Sequence, residues 1–210
     1  MLSAMNGDLP RTLLRSSWGA IAVGLFLEGL QLAVLRGSGG AVPGGAAIFA
    51  ETVQKLSWSW IVCAALACGV TASRAAPRAV GLVGLLGAPL SFGVARAVHK
   101  SVAAAVGSAV PAGGPSPWLL AGIKGVEYLV FGLLIARLAA RERAPLRAFL
   151  LRGLLIGAVF GAGVLWLMNH EAPDGLPAAS LAARGVNELF FPVGCACVLW
   201  STGALVRRAG

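Results

Sequence analysis

FLLRGLLIGAVFGAGVLWLM, residues 149–168, decides what kind of chain this is. One charge, Arg152, interrupts an otherwise apolar run of twenty residues. At about 1.5 Å of rise per residue, a helix of that length matches the roughly 30 Å hydrocarbon thickness of a bilayer. Five more runs of the same character lie at residues 18–35, 46–72, 80–98, 118–139 and 181–205. The spacing predicts an all-α integral membrane protein of about six transmembrane helices.

The rest of the composition agrees. The 210 residues are 58% hydrophobic and only 12% charged, where an ordinary soluble domain carries about 25% charge. Six spans leave no room for a second soluble domain, so residues 1–210 are expected to be one polytopic membrane domain. Residues 1–17 hold Arg11 and Arg15 and lack the short apolar core of a removable signal peptide; they are expected to form a short cytoplasmic lead-in. The net charge of +9 is scattered among apolar spans. Nucleic acid would need a basic patch to grip its backbone, so the lipid bilayer and its anionic surface are the expected partners.

The connections alternate. GSGGAVPGG, VGSAVPAGGPSP and EAPDGLP follow spans one, three and five, whereas SRAAPR and ARERAPLR follow spans two and four. On the side of the termini lie eleven arginines (11, 15, 74, 78, 137, 141, 143, 147, 152, 207 and 208) against Asp8 and Glu142. Arginine-rich short loops remain cytoplasmic, which predicts a multi-pass cell (inner or plasma) membrane protein with both termini inside. The outer side is charge-balanced, with six bases and six acids, most of them within spans or at their edges.

Comparing the chain with itself accounts for that placement. The odd spans superpose as GLFLEGLQLAVLR (24–36), GLLGAPLSFGVAR (84–96) and GAVFGAGVLWLMN (157–169). The even spans superpose as ETVQKLSW (51–58), KGVEYLVF (124–131) and RGVNELFF (184–191). Neither set needs a gap. A recurring unit of this kind predicts three repeated two-helix hairpins, at about residues 18–72, 80–139 and 149–205, in a pseudo-threefold arrangement.

Each even span carries an acid and a base three or four residues apart: Glu51 with Lys55, Lys124 with Glu127, and Arg184 with Glu188. Such spacings share a helix face, so local ion pairs are one reading. The other reading adds the aligned polar triplet Gln54, Glu127 and Asn187, which a threefold arrangement would bring round one axis. Ionisable groups inside a membrane usually face a bundle interior or an aqueous cavity. Glu28 is the deepest charge of all, about ten residues into the first span, and an unpaired carboxylate there must find a partner or a proton. Arg36 and its equivalent Arg96 end their spans and could snorkel to headgroups. His99 and His170 lack the spaced partners of a metal or haem site, and Cys63, Cys68, Cys195 and Cys197 read as packing, so no metal or cofactor is expected. Gly153, Gly157 and Gly161, like Gly81, Gly84, Gly87 and Gly93, form stripes over which helices approach closely, within the bundle or between subunits. Pro89 is expected to kink the third span.

These observations lead first to a small transporter or channel for a small polar or charged solute. Its outer vestibule would be lined by Glu28, Arg36, Glu51, Lys55, Arg96, Lys124, Glu127, Arg184, Asn187 and Glu188. The alternative is an accessory or scaffold subunit of a larger membrane complex, or a homo-oligomer, docked through the glycine stripes. A membrane-embedded enzyme comes third, because no catalytic motif is present.

Overall fold

The computed structural model describes residues 2–72, 76–109, 114–141 and 144–208, with backbone alone for 2–9 and 204–208. Arg74, Glu142 and Arg143 therefore lie outside the described residues, and of Asp8, Arg207 and Arg208 only the helical backbone is described. Within these bounds all regular secondary structure is helical: α1 (Leu2–Gly37), α2 (Gly45–Ala72), α3 (Pro77–Ala105), α4 (Pro117–Ala139), α5 (Leu146–Glu171) and α6 (Ala178–Arg208). All six contain a segment long and apolar enough to cross a membrane, which suggests a multi-pass membrane protein. Large apolar side chains such as Leu86, Leu90, Trp118, Val159 and Trp166 stand exposed on the exterior. Water would penalise so much apolar surface, and lipid does not.

The lead-in expected at residues 1–17 is instead the start of α1, which is helical from Leu2. Thr12 and Ser16 are fully buried, so this turn packs on the bundle, and Pro10 removes only a single backbone donor. At their far ends α1 and α3 stop by the same device. Gly39 (φ 73°) and Gly107 (φ 66°) adopt the left-handed conformation that glycine tolerates. The next residue then bonds back across the turn, Gly40 N to Leu35 O at 2.9 Å and Ser108 N to Ala103 O at 2.8 Å.

Packing follows a simple order. α2, α4 and α6 touch one another at the centre. Helix α1 lies against α6 and α2, α3 against α2 and α4, and α5 against α4 and α6. Among the described residues α1, α3 and α5 make no contact with each other. Glycines set the approach. Gly84 lies against the Tyr128 carbonyl, where an added Cβ would come within 3.2 Å of Leu129 N, and Gly132 meets Val80 O in the same α3/α4 seam. Gly153, Gly157 and Gly161 press on Pro192, Leu189 and Glu188 of α6, so that stripe is used inside the bundle. Helix α3 continues through Pro89, and the Leu85 carbonyl, which a proline four residues on cannot serve, sits against Gly125.

Candidate functional site

Two charged clusters lie in the half of the bundle away from the termini. In the first, the Lys55 ammonium of α2 donates to Glu28 Oε2 and Gln31 Oε1 of α1. Gln31 Nε2 in turn donates to the Ala183 carbonyl of α6 at 2.9 Å. Glu28 is only 5% exposed, so the deepest charge of the sequence does find a base, on the neighbouring helix. In the second cluster Lys124 of α4 bridges two acids, Glu127 Oε2 at 2.8 Å and Glu188 Oε2 of α6 at 2.6 Å. Asn187 Nδ2 donates to Glu188 Oε1 at 3.4 Å. Glu127 is 1% exposed, and its Oε1 is buried with no partner among the described residues.

Of the three local pairs that spacing permits, one forms. Lys124 meets Glu127, but Lys55 turns from Glu51 to Glu28, and Glu188 turns from Arg184 to Lys124. The reason is geometric: Glu51 is half-buried and Arg184 exposed, whereas Glu28 and Lys124 lie in the seams between helices, where water competes less. Glu28, Lys55, Lys124, Glu127, Asn187 and Glu188 are thus gathered into two clusters. Arg36 and Arg184 are exposed, and Glu51 and Arg96 are half-buried, none of them ion-paired among the described residues. The Arg184 guanidinium approaches Met168 Sδ at 3.9 Å. Gln54 is half-buried and makes no side-chain hydrogen bond to either cluster. His170 stacks on Trp166, with centroids 5.2 Å apart.

Below the clusters, toward the termini, an aromatic layer fills the centre. Trp58 of α2 stands edge-on to Tyr128 of α4 at 5.7 Å and 5.9 Å from Phe191 of α6, and Tyr128 packs on Phe131 at 5.7 Å. Tyr128 and Phe131 are fully buried, and the Tyr128 hydroxyl has no partner. Farther on, the Cys63 and Cys195 thiols of α2 and α6 meet at 3.1 Å. Sequence reasoning did not assign this layer, although its signal was present: Trp58, Phe131 and Phe191 are the aromatic positions that end the three aligned even segments. Tyr128 gave no signal, since its aligned neighbours are Lys55 and Glu188.

No protein-family profile matches the sequence, and neither a curated protein nor a solved structure matches it.

Proposed function

We propose that this chain is a small multi-pass transporter or channel for a small polar or charged solute, entered through a polar vestibule on the outer side. The observation that carries the reading is the pair of interhelical charged clusters at Glu28–Lys55 and Glu127–Lys124–Glu188 inside an apolar bundle. Buried ion pairs contribute little net stability, and apolar residues of similar volume often do as well or better. Five charges held there point to a task other than folding. On this reading the clusters form the vestibule floor, Arg36, Glu51, Arg96 and Arg184 its rim, and the aromatic layer the closed barrier beneath.

The repeat reading supports a path along the centre. Gly24, Gly84 and Gly157 are aligned in the odd segments, and Leu56, Leu129 and Leu189 in the even ones. A Cβ on these glycines would lie 3.7 Å from Leu56 Cα, 3.2 Å from Leu129 N and 3.0 Å from Leu189 Cα. Two alignments made separately thus bring similar positions together in each hairpin, to within one residue, with the three even helices innermost, which supports three hairpins about a pseudo-threefold axis. The placement of both termini in the cytoplasm rests on the arginines, of which Arg11, Arg15, Arg78, Arg137, Arg141 and Arg147 are exposed. In a cysteine-free background, Ser38→Cys should react with an impermeant maleimide added outside and Arg141→Cys should not; the reverse pattern inverts the topology.

Function is tested by a flux screen in proteoliposomes across ions and small polar solutes, with Glu28→Gln as the control. A solute that crosses with wild type and slows at least tenfold with Glu28→Gln supports the vestibule. Folded protein inert to every solute class sinks it. An accessory or scaffold subunit is the second reading, favoured by an apolar groove of about 240 Å³ on the α5/α6 exterior lined by Gly157, Ala158, Gly161, Ala162, Leu165, Gly185 and Leu189. A partner that copurifies stoichiometrically and is lost with Ala162→Trp would favour it.

A further inference from the structure

The second cluster is not electrically closed. One ammonium, Lys124, serves two carboxyls, while the first cluster balances Lys55 against Glu28. The surplus is one negative charge at a place where Glu127 is 1% exposed. The two acids are also held differently. Both Glu188 oxygens are engaged, Oε2 by Lys124 and Oε1 by Asn187. Glu127 has only Oε2 engaged, and its buried Oε1 meets nothing. An unpartnered oxygen is far cheaper to bury on a neutral acid than on a carboxylate. A metal cation placed here would sit beside the Lys124 ammonium, whereas a proton on the carboxyl itself removes the surplus without adding a second cation.

We propose that the Lys124–Glu127–Glu188 cluster is a proton-exchange site, with Lys124 and Glu188 as its ion pair and Glu127 as the neutral acid that holds the exchangeable proton. The surrounding groups fit. Helix α4 contributes Lys124 and the neutral Tyr128 hydroxyl, and α6 contributes Asn187 and Glu188, with Arg184 exposed one turn nearer the rim. Helix α2 contributes Glu51 and Gln54, half-buried, and Lys55, committed to Glu28. Helix α3, packed on α4, carries Arg96, half-buried and without an ion-pair partner among the described residues, and α5 presents Gly161 to Glu188. The Lys124 and Glu188 side chains keep 13% and 12% exposure, which leaves the cluster a route for exchange, while buried Tyr128, Phe131 and Phe191 pack on its terminal side. The site stands whether or not a solute is carried; where one is, its passage is coupled to this proton.

The test is infrared spectroscopy of the full chain in lipid at pH 7. Wild type should show the carbonyl stretch of a protonated carboxyl that shifts in D₂O, and Glu127→Gln should lose it. Glu28→Gln should keep the band, and Glu188→Gln should lose it, because Glu127 then ionises to pair with Lys124. Glu127→Asp, which preserves the acid should Glu127→Gln fold poorly, should move the band to the aspartic position. No band in wild type, or a wild-type-minus-Glu127→Gln difference of zero, overturns the proposal. A band that stays at the glutamic position in Glu127→Asp places the proton on Glu188 and overturns it equally.

Discussion

Removing Lys124 is the sharpest perturbation the structure offers. Lys124→Met keeps the length of the side chain and deletes the ammonium that lies 2.8 Å from Glu127 and 2.6 Å from Glu188. Breaking a buried pair from one side costs about 3–5 kcal/mol, because the other charge is left uncompensated. An independent bound comes from the escape route open to that charge. A carboxyl with a solution pKa of about 4.3 can be neutralised at pH 7 for about 3.7 kcal/mol, at about 1.36 kcal/mol per unit. The expected loss at pH 7 is therefore about 3–4 kcal/mol, read as a shift in reversible unfolding in mixed detergent micelles. The sign with pH follows. The folded variant then holds a proton that the unfolded chain at pH 7 lacks, so its stability falls as pH rises, and the penalty shrinks to about 1 kcal/mol near pH 5. The second substitution identifies the partner. Helical spacing alone names Glu127, so Lys124→Met with Glu127→Gln should be the compensated double. If Glu127 holds the proton, Glu188 is the ionised partner, so Lys124→Met with Glu188→Gln should recover most of the loss while the Glu127 double stays destabilised. A Lys124→Met protein within about 0.5 kcal/mol of wild type, or recovery by Glu127→Gln instead, refutes the reasoning.

Two further outcomes follow from packing. Gly84→Ala and Gly157→Ala place a Cβ on the backbone carbonyls of Tyr128 and Leu189, which cannot yield as a side chain can. Each should cost about 3 kcal/mol, and Gly24→Ala, which meets the flexible end of Leu56, about 1 kcal/mol. Gly29→Ala, with nothing within 4 Å, should cost nothing; equal losses at all four positions in the same unfolding assay would show that the seams are not glycine-limited. Tyr128→Phe removes a buried hydroxyl with no partner and should stabilise the protein by about 1 kcal/mol, whereas a loss of that size would mean that the hydroxyl is bonded.

The helices were legible because their signal is one-dimensional. A run such as residues 149–168 needs no partner to be read, and its glycine spacing already marks the face that α6 covers. The ends were less legible: nothing in residues 2–17 distinguishes a lead-in from the first turns of α1, and the burial of Thr12 and Ser16 against the bundle decides it. Spacing within one helix also led to the wrong partners for Lys55 and Glu188, since it cannot show which faces meet.

The proposed repeat would supply what the spacing lacks. On the hairpin alignment, Glu28 of the first unit corresponds to Ala88 and Gly161, and Lys55 corresponds to Tyr128 and Glu188. In the first hairpin this equivalent seam holds an acid opposite a base, and Lys55 closes on Glu28. In the third, the same seam sets Gly161 against Glu188, with a projected Cβ 3.1 Å from the Glu188 Cβ, so the odd helix offers that carboxylate no base. Glu188 must look across the centre, and Lys124 is the cation it reaches. In the second, Tyr128 stands where a charge stands in the other two, and Lys124 is free to take that acid from α6 in addition to Glu127 on its own helix. On the proposed threefold arrangement, three different side chains at one position would account for one balanced pair and one cluster with an acid to spare.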